Sequence, residues 1–551
     1  MFLRSLARQI QSGIRAFSSP GFIGSTPTVC WPKPLIIHVS SPQRFQVPVD
    51  PFSGQQTTHR VHVTTEPWDA ILNRTDINAN QNKNKFYIMQ LLQSTANPDS
   101  CTLHTRWGRV GAVGQTGLDS SFQSVADAEK MFLKKFKAKT GVNWRERETA
   151  TPEIGKYFWL DRNYEAEEDE RDSTPTPAAS TLPPEVLKLC DLIFSQDLIG
   201  VHLAAMNYNV KKTPLGKLGR ATISKGFSAL KLIADAIDNP NSALTEEYDT
   251  VEAAYAALSS AYYSIIPHVS GRGPLRVIDN AAYLMEELEL MDSLLDMQVA
   301  SKIMSGGGSM TNAPLHPMDA RLASLKLSRI EPLSSASSEY GAIADYARNT
   351  EVRDSFYAID IQNIFRVERE EETQAWTEAG HHLLNNGERL LLWHGSRSTN
   401  FAGILKNGLR IAPPEAPSTG YMFGRGVYFA DMVSKSFNYC HSELSYDTGL
   451  LLLCEVAAMP FLEQKQSNYT ADVDCTAAGK RSTKGLGRSA PARWIDAGGA
   501  LTEDLRGCMM PAGSRRLRTV QPVLHHNEYI VYNLHQIRLR YVVMVKSRTK
   551  V

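Results

Sequence analysis

The chain has 551 residues, of which 42% are hydrophobic and 21% are charged, and its formal net charge is +1. This length predicts three or four domains, and the composition is typical of a soluble globular protein. The longest apolar run, around Leu450–Leu453, is far too short to cross a bilayer, so a membrane protein is excluded at this stage. A charge near zero means that any attraction to nucleic acid must come from local patches.

The cysteines are scattered along the chain and form neither a C-x-x-C pair nor a Cys/His arrangement at zinc-finger spacing. Their odd number fits a reducing compartment better than a disulfide framework. We therefore expect free thiols and no metal. The seven residues are Cys30, Cys101, Cys190, Cys440, Cys454, Cys475 and Cys508.

Residues 1–50 form a basic N-terminal segment in which no acidic residue precedes Asp50. Its first fifteen residues combine an apolar stripe of helical period with arginines at other positions: Phe2, Leu6, Ile10, Ile14; Arg4, Arg8, Arg15. Two interpretations remain open. The segment resembles a mitochondrial presequence, and its composition equally fits a flexible basic tail that helps to hold DNA.

Residues 51–161 are predicted to form a first compact domain. Strand-like runs alternate with turn residues and are followed by an amphipathic basic helix, which begins near Asp127 and is rich in lysine. Between them the chain contains Trp107, Gly108 and Arg109, and this sequence, with its surroundings, resembles a WGR domain. The lysines expected to contact DNA lie in the second half of this helix and are Lys134, Lys135, Lys137 and Lys139.

Residues 162–182 are predicted to form an acidic, disordered linker, because they are rich in Glu, Asp, Ser, Thr and Pro and cannot bury enough surface to offset chain entropy. From 183 to 310 the pattern changes to helical stripes of apolar residues, which predict an all-α bundle. One stripe runs from Ile223 to Ile237 and another from Leu284 to Val299. A Gly-rich break at 306–308 precedes the last domain.

Residues 316–551 are dominated by strands rich in branched and aromatic residues, several of which lack alternation and are therefore expected to be covered on both faces. One of these strands ends in His394-Gly395-Ser396, and another begins at Glu528. This arrangement predicts polar groups exposed at the ends of buried strands.

These segments together resemble the DNA-dependent poly(ADP-ribose) polymerases, most of all the small members that lack zinc fingers. The resemblance rests on the long run from Leu390 to Glu443, on the sequence around Glu528, on the WGR segment and on pieces of the helical bundle. It implies a multidomain α+β protein with a small mixed β WGR domain, an all-α regulatory bundle and an α+β ADP-ribosyltransferase domain. NAD+ is then the substrate, and no metal is required.

The resemblance also implies roles for individual residues. His394, Tyr428 and Glu528 correspond to the catalytic set, in which the carboxylate stabilises the positive charge that develops on the ribose when the nicotinamide bond breaks. Tyr428 and Tyr439 are expected to stack on the nicotinamide ring. The full set expected to bind NAD+ is His394, Gly395, Ser396, Gly403, Arg410, Tyr421, Tyr428, Lys435, Ser436 and Tyr439.

In the WGR segment, an aromatic plate beside cations suits a DNA end that carries a 5′ phosphate. The residues expected to bind DNA are Tyr87, Arg106, Trp107, Gly108 and Arg109. The lysines of the basic helix are expected to add electrostatic attraction to phosphates.

The resemblance therefore implies an ADP-ribosyltransferase that is activated by DNA breaks and modifies itself and other proteins in DNA repair. An accessory factor that completes the site for serine acceptors is a family trait. Residues 461–523 depart from the family pattern, which leaves open a mono-ADP-ribosyltransferase. A non-catalytic scaffold that binds DNA ends is the other alternative. The nucleus is the expected location, with the mitochondrion as the alternative.

Overall fold

The computed structural model describes residues 47–78, 81–162, 179–208, 218–246, 248–271, 273–305, 316–352, 357–418, 420–518 and 522–549. The predicted basic tail, except for its last four residues, lies outside the described residues. Most of the acidic segment and the Gly-rich break at 306–308 also lie outside them.

The first described segment folds into an antiparallel sheet covered by one helix. Its elements are β1 (His59–Val61), β2 (Asp69–Asn78), β3 (Gln81–Ser94), β4 (Cys101–Arg109), β5 (Gln115–Asp119), α1 (Val125–Thr140) and β6 (Phe158–Leu160). The strands are ordered β5-β4-β3-β2-β6, and β1 pairs with β3. Ser124 caps the start of α1, and Phe132 and Phe136 on its apolar face are fully buried in the core formed with the sheet.

The described parts of residues 184–305 form a series of helices, as the apolar stripes predicted. The helices are α2 (Pro184–Ile193), α3 (Gln196–Ala205), α4 (Arg220–Asp238), α5 (Ala243–Glu246), α6 (Val251–Ile265) and α7 (Ala281–Ser305). On α4, Ile223, Phe227 and Leu230 are buried at the predicted spacing. The longest of these helices, α7, presents several carboxylates to the last domain.

The last domain contains two sheets with short helices around them. Its helices are α8 (Pro317–Ser324), α9 (Ser338–Thr350), α10 (Glu370–Glu378), α11 (Phe401–Asn407), α12 (Val433–Phe437), α13 (Ala471–Ala477) and α14 (Ala497–Ala500). Its strands are β7 (Arg329–Pro332), β8 (Tyr357–Glu368), β9 (Arg389–Ser396), β10 (Val427–Phe429), β11 (Thr448–Ala457), β12 (Phe461–Gln464), β13 (Ser482–Gly485), β14 (Gly487–Asp496), β15 (Cys508–Leu517), β16 (Leu524–His526), β17 (Glu528–Val531) and β18 (Ile537–Thr549).

The larger sheet has the order β16-β14-β15-β9-β11-β18-β8-β7, and the smaller has the order β10-β17-β13-β12. Strand β11 lies near the middle of the larger sheet and is buried on both faces. Leu450 and Leu452 belong to one apolar core, while Leu451 and Leu453 belong to another, so successive side chains pack against different layers. This explains why the strand shows no polar alternation.

The chain divides into two compact units. The first comprises the described parts of 1–166 and 241–267, and the second those of 167–240 and 268–551. Helix α6 therefore belongs to the first unit, where two of its serine hydroxyls accept hydrogen bonds from backbone amides of β2. The Ser264 hydroxyl accepts a hydrogen bond from the Thr75 amide at 2.9 Å, and the Ser260 hydroxyl accepts one from the Ile77 amide at 2.8 Å. These bonds satisfy strand amides beyond the short pairing with β6.

Candidate functional site

His394 lies near the end of β9, beside β10. Its Nδ1 atom is 2.8 Å from the carbonyl oxygen of Tyr428. Because a carbonyl only accepts, Nδ1 must carry the proton. Burial lowers the pKa of His394 below its usual value, against the opposing effect of the Tyr428 carbonyl, so the ring is neutral at pH 7 and Nε2 is an acceptor. A neutral acceptor at this position suits a hydroxyl donor such as a ribose.

Gly395 follows His394 and lies against the backbone of α12. A Cβ atom at this position would stand 1.8 Å from the carbonyl oxygen of Ser436. Only glycine fits here, and its lack of a side chain lets the end of β9 pack directly against α12. The Ser396 hydroxyl accepts a hydrogen bond from the Asn400 side chain at 3.0 Å. The predicted residues His394, Gly395 and Ser436 are thus brought together at the end of β9.

Glu528 begins β17 and is almost fully buried, with 6% of its surface exposed. Its Oε1 atom is 2.6 Å from Nζ of Lys435 on α12. Burial by itself would lower the pKa of Lys435, but the Glu528 carboxylate and the nearby Tyr439 hydroxyl raise it overall. The Lys435 ammonium also lies 5.6 Å from the centre of the Tyr439 ring. A carboxylate, an ammonium and an exposed aromatic ring therefore meet at this point.

Tyr428 on β10 is held by its own hydroxyl. The hydroxyl donates to the Gly424 carbonyl at 2.8 Å and accepts from the Phe423 amide at 3.0 Å. Burial, with the charge of Glu528 nearby, raises the pKa of Tyr428 well above its usual value, so the phenol stays neutral. The Tyr421 ring lies 6.4 Å away, centre to centre, at an angle of 31°. These bonds fix the orientation of the Tyr428 ring.

Three of the residues expected to bind NAD+ are in contact with helix α7. Arg410 forms an ion pair with Asp296 of this helix. Gly403 on α11 lies directly against Asp296. Burial and the neighbouring Asp292 carboxylate raise the pKa of the Tyr421 hydroxyl well above its usual value. Helix α7 therefore covers part of the expected cofactor site.

A third carboxylate of α7 holds the segment just after the His-Gly-Ser sequence. Glu289 Oε1 lies 2.9 Å from the Arg397 guanidinium and 3.2 Å from Nε2 of His441. Glu289, Asp292 and Asp296 recur at intervals of three and four residues, which places them on one helix face. None of these acids was predicted as a site residue, and neither was Arg397 or His441, although the spacing of the acids is visible in the sequence.

In the first unit, Trp107 is 36% exposed and stacks on Tyr87, with ring centres 6.1 Å apart and an angle of 21°. Trp107 pairs with Tyr87 across β3 and β4, and Arg109 pairs with Lys85. Because side chains alternate along a strand, these four residues share one face of the sheet. The ammonium of Lys139, on α1, lies 4.5 Å from the Tyr87 ring centre. The exposed indole of Trp107 therefore lies on the same side of the sheet as the side chains of Lys85, Arg109 and Lys139.

Tyr87 and Arg106, which are both expected to bind DNA, are buried in the structure. Tyr87 is only 6% exposed and supports Trp107 from below. Arg106 is 4% exposed, and its Nε donates to Asp50 Oδ2 at 2.6 Å, while Nη1 donates to the Val113 carbonyl at 2.9 Å. The reason is strand alternation, since position 106 faces the opposite side of the sheet from 107 and 109. Arg106 is therefore engaged inside the domain.

Within the ranges that the structure describes, no group of three or more His, Cys, Asp or Glu side chains is arranged to hold a metal ion. The six cysteines in these ranges are all buried thiols. No helix found there is both long and apolar enough to cross a membrane.

Three family models match successive parts of the chain. The WGR domain model matches residues 68–151, the model of the poly(ADP-ribose) polymerase regulatory domain matches 180–321, and that of the poly(ADP-ribose) polymerase catalytic domain matches 337–547. The segment that matches the regulatory-domain model includes helices of both compact units, since α6 belongs to the first unit and α7 to the second.

Similar proteins include three named poly(ADP-ribose) polymerase 2. The Arabidopsis thaliana protein is 38% identical over 496 residues, which cover 88% of this chain and 74% of that protein. The Homo sapiens protein is 37% identical over 519 residues, which cover 91% of this chain and 83% of that protein. The Zea mays protein is 38% identical over 499 residues, which cover 89% of this chain and 72% of that protein.

Proposed function

The chain belongs to the poly(ADP-ribose) polymerase family and is an NAD+ ADP-ribosyltransferase, and we propose that DNA strand breaks switch it on. The single observation that carries the regulatory part is the position of α7. Its carboxylates engage Arg410, Gly403 and Tyr421, which are residues expected to bind NAD+. As long as α7 remains there, these groups are unavailable to the substrate.

The residues expected to bind NAD+ form the site that we call the cleft. Their chemistry supports the role of each. The neutral Nε2 of His394 accepts a hydrogen bond from a ribose hydroxyl, and the Gly395 backbone and Ser436 hold the nicotinamide amide. The Tyr428 and Tyr439 rings supply flat faces for nicotinamide. Bound NAD+ supplies the ADP-ribosyl group, which is transferred when the bond between nicotinamide and ribose breaks.

Glu528 performs the central electrostatic step. Its carboxylate faces the region where positive charge develops on the ribose, and it orients the acceptor hydroxyl. Lys435 forms an ion pair with this carboxylate and holds it in place, and it lies where the pyrophosphate of the donor or acceptor is expected. Because Glu528 is buried, its attraction to Lys435 and its stabilisation of positive charge on the ribose are both stronger than they would be in water.

The WGR domain senses the break. Trp107 stacks on an exposed base or sugar, while Arg109 and the lysines of α1 attract phosphates, including a 5′ phosphate at the end. Release of α7 from the cleft then opens the site. Two kinds of contact hold α7 on the last domain: the ion pair between Asp296 and Arg410, and the apolar packing of Val299, Ala300 and Ile303 in a shared core cluster. Release of the helix therefore requires both to be broken.

Acceptors include this protein itself and other proteins of DNA repair, with an accessory factor completing the site for serine. The product is a polymer, with single transfer as the alternative, because β14 and β15 lie in the region that departs from the family pattern. The nucleus is the proposed location. The WGR domain and the matches to similar proteins support this assignment.

One assay tests the proposal. The full-length protein is incubated with labelled NAD+ in the presence of intact DNA, of nicked DNA with a 5′ phosphate, or without DNA, and the products are separated by length. We expect long products only with nicked DNA. Single-unit products would favour the mono-ADP-ribosyltransferase, and DNA binding without any turnover would favour the scaffold.

A further inference from the structure

Beneath Glu528 lies a buried carboxylate that the mechanism above does not use. Asp431 follows β10 and is fully buried. Its Oδ2 atom accepts two hydrogen bonds, one from Nδ2 of Asn527 at 2.7 Å and one from the Tyr529 hydroxyl at 2.9 Å. These donors are the residues immediately before and after Glu528.

This arrangement controls the direction in which Glu528 projects. Neighbouring side chains of a strand point to opposite faces, so Glu528 and Tyr529 of β17 project to opposite sides. Asn527, just before the strand, donates to the same oxygen as Tyr529 and therefore lies on the side away from Glu528. A single acceptor that holds both flanking side chains prevents the strand from rotating about its axis. The carboxylate of Glu528 is thereby aimed into the cleft.

The side-chain oxygen of Asn527 is also held by a hydrogen bond. Its Oδ1 atom accepts a hydrogen bond from the Gly487 amide at 2.9 Å. A Cβ atom at Gly487 would lie 2.1 Å from the carbonyl carbon of His526, so glycine is needed for β14 to approach this closely. The Asn527 amide thus ties the start of β14 to Asp431 through the residue that precedes Glu528.

Asp431 also anchors the partner of Glu528. It lies four residues before Lys435, whose Nζ atom is 2.6 Å from Glu528. The Asp431–Asn527 bond therefore joins the two segments that carry the ion pair, close to the pair itself. Burial raises the pKa of Asp431 to about 6, against the opposing bonds from Asn527 and Tyr529, so it is mainly ionised at neutral pH and strongly attracts both donors.

We propose that Asp431 and Asn527 are positioning residues, which set the direction of Glu528 and its distance from Lys435 during ADP-ribosyl transfer. The proposal rests on the proposed function, because it assigns Glu528 the central step. Neither residue contacts the reacting atoms, and both act through Glu528. A displacement of about 1 Å at a reacting group can cost on the order of 100-fold in rate, so such a scaffold has a large effect on kcat.

The test compares Asn527→Ala, Asp431→Ala and Asp431→Asn in the full-length protein with nicked DNA and NAD+. We expect each alanine variant to lose roughly 10- to 100-fold in kcat with KM for NAD+ within about twofold, because the binding groups stay in place. Asp431→Asn keeps an oxygen that accepts from both donors, so it should retain activity within about fivefold of the parent.

Glu339→Gln is the matched control. Glu339 is also a buried carboxylate that accepts from a tyrosine, since Tyr541 donates to it at 2.6 Å, but its other partner is Arg366 on β8. Glu339→Gln should lower the melting temperature without lowering kcat per folded molecule. The folded fraction of every variant is measured by thermal denaturation.

Full kcat in folded Asn527→Ala and Asp431→Ala would overturn the positioning role, as would an equal loss of kcat in Glu339→Gln. A kcat for Asp431→Asn as low as that of Asp431→Ala would also count against it. Failure of the proposed function looks different, because the parent protein itself would then consume no NAD+ with nicked DNA.

Discussion

The Nζ atom of Lys435 lies 2.6 Å from Oε1 of Glu528, and Glu528 is buried on all but 6% of its surface. The two residues come from a short helix and from the first position of a strand, and they meet only in the folded domain. A buried carboxylate with a single ammonium partner supplies a directed negative charge. That geometry supports Glu528 as the residue on which transfer depends.

We expect Glu528→Gln to reduce transfer by at least about 100-fold and to abolish chain extension, because an amide keeps the shape but carries no charge. Folding and DNA binding should be unchanged. The measurement is labelled NAD+ turnover with nicked DNA. Glu370→Gln, at an exposed position on α10, serves as the control and should match the parent. Long polymer formed by Glu528→Gln at the parental rate would exclude the central role of this carboxylate.

Asp296→Ala is expected to raise activity in the absence of DNA, because it removes the partner of Arg410 and weakens the hold of α7 on the cleft. Arg410 is about one-third exposed, so we expect an increase of roughly 5- to 30-fold rather than full activation. Turnover without DNA is the measurement. Glu286→Gln is the matched control, since Glu286 lies on the same helix in an exposed ion pair with Arg276. Equal basal rates in both variants would argue against inhibition by α7.

The same helix predicts a pH dependence. Burial raises the pKa of Asp296 from 3.8 to about 7 and that of Asp292 to about 6, although Arg410 opposes both shifts. The docked carboxyls hold their protons more tightly than solvated ones, so release of α7 in this range loses protons. Rising pH therefore favours release from about pH 4 up to about 7 and has no further effect above it.

The ratio of turnover without DNA to turnover with DNA should accordingly increase several-fold between about pH 5.5 and 7.5. Using the ratio removes effects of pH on the chemical step. Asp296→Asn cannot titrate, so its ratio should change less with pH, whereas Glu286→Gln should follow the parent. A parental ratio that falls with rising pH would contradict the assigned direction.

Trp107→Ala and Arg109→Ala should weaken activation by breaks with a 5′ phosphate while sparing turnover in the absence of DNA. Loss of a base-stacking aromatic costs about 1–3 kcal/mol of binding free energy. Arg106→Ala is a different kind of variant, because it removes a buried partner of Asp50 and should lower the melting temperature. DNA affinity and thermal stability are measured for all three. Identical behaviour of Arg106→Ala and Arg109→Ala in both measurements would show that the two faces of β4 are not functionally distinct.

The N-terminal segment has its own test. Residues 1–40 are fused to a fluorescent reporter, and we expect a nuclear or diffuse signal, because a basic tail without acids suffices as an auxiliary DNA contact. A variant with Arg4, Arg8 and Arg15 replaced by alanine is the control. A mitochondrial signal that disappears in the control, with cleavage near Phe17, would establish a presequence instead.

Much of the architecture could be predicted from the sequence, because local patterns specify local structure. The apolar run before His394 gave a buried strand, the apolar stripe from Ile223 gave helix α4, and the basic segment after Asp127 gave a helix over the first sheet. The resemblance to a known family supplied the roles of His394, Tyr428 and Glu528. Neither these local patterns nor the resemblance to a known family depends on which distant segments of the chain are in contact.

Contacts between distant segments were decided only by the tertiary structure. Asp431 and Asn527 are 96 residues apart, and Asp296 and Arg410 are 114 apart, so no local period links either pair. Strand alternation puts Arg106 and Arg109 on opposite faces of β4, but only the tertiary structure brings Asp50 to Arg106 and so decides that Arg106 is the buried one. The sequence by itself determined the strands, the helices and the candidate catalytic groups. The packing of those elements decided which charges are buried, which are paired, and which face the cleft, because burial and pairing depend on neighbours that folding alone supplies.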